Sequence, residues 1–207
     1  PADLRVLLQS RPAADAPFVL AKRFQEAPRR YVNETFDTFQ VLAGLRGHIT
    51  GRDWDWDAYA SHDEARNHET LTMGYRMSRL QSLLDAPDGG QSICRGGYNP
   101  FGIAASAAIS NECLAYVSTA VRNRMRVSQD IVEASLRGSV MQLPADPLRF
   151  ALTASHRSNH QASDPDPLLV PPTLSATASD VFATGSARPS GGSTRVGEVA
   201  LELLVPL

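Results

Sequence analysis

The sequence predicts an all-β protein, and more specifically a segment of an antiparallel transmembrane β-barrel with about five long strands and an incomplete wall. Several segments alternate apolar and polar residues with the two-residue period of a strand. Very short turns and long connections alternate between them, as in outer-membrane barrels, where periplasmic turns are short and extracellular loops long. We expect strands at about 32–49, 53–67, 122–142, 148–160 and 193–205.

The first two strands show the alternation most clearly. In TFQVLAGLRGHI the apolar positions are Phe39, Val41, Ala43, Leu45 and Ile49. After a turn at 50–53, WDWDAYAS places Trp54, Trp56, Ala58 and Ala60 on one face and Asp55, Asp57, Tyr59 and Ser61 on the other. The pair therefore has one apolar and one polar face.

A second pair repeats this plan around the turn at 143–147. SQDIVEASLRGSVM carries Val132, Ala134, Leu136, Gly138 and Val140 on its apolar face, and LRFALTASHR carries Leu148, Phe150, Leu152 and Ala154. Soluble sandwiches also alternate, so a soluble sheet remains an alternative at this point.

Two long loops are expected, at 62–121 and 161–192. The first contains two predicted helices, in SRLQSLLDAPDGG and in ISNECLAYVS, where Ser110 is a suitable N-cap. The second is rich in Pro, Ser, Thr, Ala and Gly, and we expect it to be mobile. We interpret residues 1–31 as an extracellular loop that leads into the first strand and contains a short helix, ADLRVLLQS, and an extended segment, FVLAKRF.

Composition excludes a few function classes. The net charge of -2 and the scattered basic residues give no basis for nucleic-acid binding. The mean hydropathy is -0.22, and the sequence contains no apolar run of the length that a transmembrane helix needs. A barrel is compatible with both values, because alternation hides its apolar band.

The two cysteines, Cys94 and Cys113, both fall in the first long loop. If that loop is extracellular, we expect a disulfide that stabilises it by roughly 3 kcal/mol. Free thiols in a reducing compartment are the alternative.

The predicted faces suggest two sets of site residues. Trp54 and Trp56 lie on the apolar face beside a turn, where aromatic residues mark the membrane interface. Candidates for a water-filled lumen are Arg46, Asp55, Asp57, Tyr59, Glu133, Arg137, Arg149 and Arg157.

Catalytic and metal sites are weakly supported. His62, Asp63, Glu64 and His68 form one group of potential ligands and His156, His160, Asp164 and Asp166 another, but neither has a recognised metal-binding spacing. We interpret both as solvated loop or rim. No nucleophile elbow is present, and the pair Asp55 and Asp57 fits lumen polarity better than acid–base chemistry. We therefore expect no enzyme activity, no metal and no cofactor.

Several segments resemble the barrel portion of TonB-dependent receptors. They are RRYVNETFDTFQVLAGLRG, DWDWDAYAS, SRLQSLLDAPDGGQSICRGGYNPFG with ISNECLAYV, LPADPLRFALTASHR and VALELLVPL. The similarity runs over roughly residues 5–207 and is most specific from Leu83 to Val117. It implies a 22-stranded barrel closed by a plug, in the outer membrane of a Gram-negative bacterium, which actively imports a siderophore, cobalamin, an oligosaccharide or another scarce nutrient.

The resemblance is incomplete, because the sequence lacks a plug, an energy-coupling box and a C-terminal aromatic assembly signal. We therefore expect a fragment whose partners are membrane lipid, a nutrient ligand, the remaining strands, the plug and the inner-membrane TonB complex. A passive porin-like barrel and a soluble secreted all-β binding domain are the alternative functions.

Overall fold

The computed structural model describes residues 6, 9–16, 19, 28–100, 109–173 and 178–206. The regular elements are β1 (Tyr31–Ile49), β2 (Trp54–Tyr75), α1 (Met77–Asp85), α2 (Asn111–Val117), β3 (Ser118–Gln142), β4 (Pro147–Asp164), a 3₁₀ turn (Pro167–Leu169) and β5 (Ser190–Leu204). In these residues no helix combines the length and the apolar character that crossing a membrane requires.

The five strands form an open sheet in the order β1-β2-β3-β4-β5, so each strand lies beside its neighbour in the chain. β4 pairs antiparallel with both β3 and β5. The β1–β2 turn is closed by a hydrogen bond from the Arg52 amide to the Ile49 carbonyl (3.2 Å), and Gly51 has a φ of 81° that favours glycine. The sheet is therefore a simple meander.

All five expected strands are present, but β2 is much longer than predicted, and β3 and β4 are each longer by four or five residues. β2 continues to Tyr75 and β3 begins at Ser118, so the loop expected at 62–121 is shortened to 76–117. From His62 to Glu69 every residue except Ala65 is polar, so this stretch gives no apolar alternation. β2 lies between β1 and β3 in the sheet, and pairing with these two neighbours extends the strand through this stretch.

The second long loop is also shorter than expected. β4 runs to Asp164 and β5 begins at Ser190, which leaves 165–189. Leu169 and Val181 in this segment are buried with Leu71 and Val121. Most of the expected helix ADLRVLLQS and of the extended FVLAKRF lies outside the described residues.

The described chain divides into two compact units. The sheet unit comprises Glu34–His68, Asn123–Asp164 and Pro189–Leu207. The loop unit comprises the described residues up to Asn33 together with Glu69–Arg122 and Pro165–Arg188. The buried hydrophobic clusters belong to the loop unit, and the largest contains Tyr75, Leu83, Cys94, Tyr98, Ile109, Cys113 and Val117.

Candidate functional site

The strand register gathers apolar side chains on one face of the sheet. Directly paired residues project to the same side of a sheet. Leu136 pairs with Leu152, which pairs with Leu201, and the next row joins Ala134, Ala154 and Val199. A third row joins Gly138, Phe150 and Leu203. These rows form a continuous apolar surface across β3, β4 and β5.

Ring contacts extend the same face to β2 and β1. The Trp54 ring lies edge-on to Phe150 with centroids 5.2 Å apart. Trp56 covers Gly47, where an added Cβ would come within 2.8 Å of the indole nitrogen. We call this surface the apolar band; its main members are Phe39, Val41, Leu45, Trp54, Trp56, Val132, Leu136, Phe150, Leu152, Val199, Leu201 and Leu203.

Many side chains of the apolar band are exposed. Val199 is 76% exposed, Leu45 74% and Leu201 61%. A contiguous apolar surface of this kind marks contact with a membrane, a ligand or another protein. The band therefore requires a covering that the described residues do not supply.

The band has a defined height. At one end the Trp54 indole donates a hydrogen bond to the Ser139 carbonyl (2.7 Å). At the other end His62 and Asp130 are hydrogen-bonded (2.7 Å), and polar residues replace apolar ones. Between these limits, Val132 to Val140 covers roughly 26 Å at about 3.3 Å per residue. A strand tilted as in outer-membrane barrels would cover about 20 Å of apolar height, against roughly 25 Å in those barrels.

The opposite face of the sheet is polar and cross-linked between strands. Ser135 donates to Asp57 (2.6 Å), and Asp55 lies 3.1 Å from His48 and 3.9 Å from Arg137. Farther along, Arg157 and Glu198 are 3.6 Å apart. This polar face carries Arg46, Asp55, Asp57, Tyr59, Glu133, Arg137, Arg149 and Arg157, the residues considered as lumen candidates.

The polar face suits a watery surface better than a catalytic centre. The Asp55 and Arg137 side chains are 55% and 68% exposed, and exposed ion pairs contribute little stability. An open cavity of about 390 Å³ lies between Arg46, Asp55, Asp57 and Arg137. Its lining carries two arginines and two aspartates, so both signs of charge are present in it.

The sequence interpretation placed His62 to His68 at the overlap of the strand expected at 53–67 and the loop expected at 62–121, and the structure assigns them all to a strand. They lie within β2, where successive side chains project to opposite faces, so Asp63 is directed away from His62 and Glu64. The Glu64 side chain is only 2% exposed and bridges Arg66 and Arg126. Among the described residues, no group of three His, Cys, Asp or Glu is arranged to hold a metal ion.

The loop unit is held by a disulfide. Cys94 and Cys113 are bonded, with their Cα atoms 5.1 Å apart, and both are buried in the largest hydrophobic cluster. Helix α2 begins after Ser110, whose side chain accepts a hydrogen bond from the Cys113 amide (3.1 Å) as an N-cap does. The bridge thus ties the segment after α1 to the first turn of α2.

A half-buried carboxylate joins α1 to the second loop. Asp180 accepts hydrogen bonds from the Ser78 amide (2.7 Å), the Ser78 hydroxyl (2.7 Å) and Arg76 Nε (2.8 Å). Partial burial opposes ionisation of Asp180, but the Ser78 hydrogen bonds and the Arg76 charge outweigh it and lower its pKa. Asp180 is therefore held as a carboxylate, and it fastens the loop to the start of α1.

Comparisons with known proteins assign no family to the chain. No family model, no curated protein and no solved structure matches it. The two faces of the sheet and the loop unit are therefore the features that bear on function.

Sequence reasoning missed the cluster formed by Glu64, Arg66 and Arg126. The signal was present, because His62, Glu64, Arg66 and His68 alternate through a stretch that was assigned to a loop. Reading the charges by strand parity would have placed them on the same side as Trp54 and Trp56.

Proposed function

We propose that the chain forms part of the wall and the ligand-facing loops of a TonB-dependent receptor in a bacterial outer membrane. Such a receptor binds a scarce nutrient, for example a siderophore, cobalamin or an oligosaccharide, and imports it actively. The apolar band is the observation that carries this proposal. A lipid bilayer covers an exposed apolar surface of this height and leaves the polar face to line an aqueous interior.

The sheet requires further strands in that setting. Within the described residues, β1 and β5 are its two edges, and unpaired backbone groups in lipid cost several kcal/mol each. Additional strands would close the barrel. A plug and the inner-membrane TonB complex would supply gating and energy.

The loop unit favours a receptor over a passive porin-like barrel. It has its own hydrophobic clusters and a disulfide, so it can present a stable binding surface. The most specific part of the sequence resemblance, Leu83 to Val117, lies in this unit. The polar side chains on the sheet face opposite the apolar band then line the path of the ligand into the barrel.

The two tryptophans provide a direct test, because the chain contains no others. The protein is reconstituted into phosphatidylcholine vesicles brominated either near the headgroup or near the end of the acyl chain. We expect strong quenching of Trp54 and Trp56 by the shallow bromines and weaker quenching by the deep ones. The variants Trp54→Phe and Trp56→Phe report the two positions separately.

Absence of quenching would reject the membrane location and favour the soluble secreted binding domain. Planar-bilayer recordings separate the transport alternatives, because a porin conducts ions continuously whereas a plugged receptor does not. Steady conductance by the full-length protein would therefore favour a porin.

A further inference from the structure

Beyond the end of the apolar band that carries His62 and Asp130, two arginines are fixed by one carboxylate. Glu64 accepts hydrogen bonds from Arg66 Nε (2.5 Å) and from Arg126 Nε (2.9 Å). The Glu64 side chain is 2% exposed, whereas Arg66 and Arg126 are each 54% exposed. Glu64 therefore orients two guanidinium groups whose remaining N–H groups face outward.

These guanidinium groups border an open cavity of about 580 Å³. Its polar lining includes Arg66, His68, Arg124, Arg126, Ser163 and Ser190. The carboxylates of Glu64 and Asp164 offset two of the three arginine charges, so one positive charge remains uncompensated before His68 is counted. The cavity thus offers fixed donors and a surplus of positive charge to an anion.

The cavity lies on the same face as the apolar band. Arg66 follows His62 by an even number of residues along β2, and Arg126 precedes Asp130 by an even number along β3. At about 3.3 Å per residue, the arginines lie roughly 13 Å beyond the polar limit of the band. An amphiphile whose acyl chains cover the band would bring its headgroup to this height.

We infer that Arg66, Arg124 and Arg126 form a binding site for the phosphate groups of an anionic membrane lipid. Guanidinium groups suit this ligand because they donate paired hydrogen bonds to phosphate oxygens. The inference rests on the proposed function, since that places acyl chains against the band. The site lies toward the end of the sheet opposite the 50–53 turn, so the lipid belongs to the leaflet at that end.

Native mass spectrometry of the protein in a nonionic detergent tests this site. Lipid A, a phosphorylated glycolipid, is titrated in parallel with its dephosphorylated form, and bound lipids are counted. We expect wild-type protein to bind lipid A about tenfold more tightly than the dephosphorylated form. The double variant Arg66→Gln, Arg126→Gln should lose this preference.

Two further variants separate recognition from folding. Arg124→Gln leaves the hydrogen bonds of Glu64 intact and should still weaken lipid A binding several-fold. Arg52→Gln removes the same charge near the other end of the band, where Arg52 lies 4.7 Å from the Trp54 ring centre, and should leave binding unchanged. Full lipid A preference in the Arg124 variant and in the double variant would overturn the inference.

Three further outcomes would overturn the lipid site, the last of them together with the proposed function. Displacement of lipid A by inorganic phosphate at equal concentration would identify a free-phosphate site and overturn the assignment to lipid. Protein whose tryptophans are quenched by brominated lipid, but which binds both glycolipid forms equally, would refute this inference alone. Protein that shows neither quenching nor lipid preference would refute the proposed function as well.

Discussion

Adjacent residues on β4 differ in the side of the sheet to which they project. Leu152 lies in the apolar row with Leu136 and Leu201, whereas Thr153 lies in the polar row with Ser135. Their backbone environments are otherwise alike, because both residues pair with β3 on one side and with β5 on the other. A charge placed at these two positions therefore compares the two faces directly.

We predict that Leu152→Arg destabilises the membrane-inserted barrel by about 2–4 kcal/mol, because the guanidinium must enter the apolar band. Thr153→Arg should cost much less, since it adds a charge to a polar surface. Reversible unfolding in urea with lipid vesicles measures both values, and Leu136→Arg with Ser135→Arg repeats the comparison on β3. Equal costs on the two faces would contradict a lipid-facing band.

Gly138 occupies a position where a side chain has no room. An added Cβ would clash with the Trp54 ring and would come within 2.8 Å of the Asp53 carbonyl oxygen. A Cβ added at Gly197 on β5 would have no atom within 4 Å. The two glycines therefore respond differently to one methyl group.

We predict that Gly138→Ala displaces the Trp54 indole from the Ser139 carbonyl and destabilises the protein by roughly 1–3 kcal/mol. Gly197→Ala should be neutral or slightly stabilising, because it restricts the unfolded chain without a clash. Thermal unfolding and the tryptophan emission maximum report the two effects. An unchanged emission maximum in Gly138→Ala would show that the Trp54 contact is absent.

At the scale of elements, α1 and α2 are too short to be stable alone. α1 buries Leu83, and α2 buries Cys113 and Val117 in the same cluster. The helices therefore depend on each other, on the disulfide and on the contacts of Asp180.

We predict that the Cys94–Cys113 bond, with a sequence separation of 19, stabilises the loop unit by about 3 kcal/mol. Cys94→Ala, Cys113→Ala should make residues 76–117 sensitive to protease, while the paired strands of the sheet unit stay protected. Mass spectrometry of unreduced, alkylated protein checks the bond. Alkylation of both thiols in protein isolated from membranes would contradict it.

The contacts of Asp180 predict a pH dependence for the attachment of the second loop. The folded state lowers the pKa of Asp180 below its ordinary value of 3.8, so the carboxylate contributes stability above that pH. This contribution should disappear as the pH falls below 3.8 through the folded pKa. Hydrogen exchange at the Met77 amide, which donates to the Asp180 carbonyl (2.7 Å), measures the loss.

Asp180→Asn removes the titrating group and is the matched variant. It should exchange faster than wild type at neutral pH and show a much smaller change on acidification. The same acid-induced change in wild type and in Asp180→Asn would assign the effect to another group.

At the scale of the whole molecule, the connections fall into two sets. The 50–53 and 143–146 turns are short and lie at the same end of the sheet, since Asp53 accepts a hydrogen bond from the Ser139 hydroxyl. The segments 76–117 and 165–188 belong to the loop unit and meet at the bridge between Arg76 and Val181. In outer-membrane barrels, short turns and long loops lie on opposite sides of the membrane.

We predict that, in intact cells, a membrane-impermeant thiol reagent modifies Ser179→Cys but not Ala145→Cys. The short turns should face the periplasm and the long loops the exterior. Permeabilised cells control for reactivity, because both cysteines should then be modified. The reverse pattern in intact cells would refute this orientation.

Local sequence patterns were sufficient to predict the strands and their faces. The alternation in WDWDAYAS and in LRFALTASHR predicted which residues share a side, because a strand directs successive side chains to opposite faces whatever surrounds it. Ser110 was identifiable as an N-cap for the same reason, since its hydrogen bond to Cys113 is local.

Long-range pairing decided the rest. β2 continues past its expected end at about residue 67 to Tyr75 because β1 and β3 lie on either side of it. The contact of Glu64 with Arg126 and the attachment of Asp180 to α1 join residues that lie far apart in the chain. The sequence by itself determined the period and the polarity of each strand, because these depend on neighbouring residues. Only the tertiary structure decided which charges meet, because that depends on strand register and on loop packing.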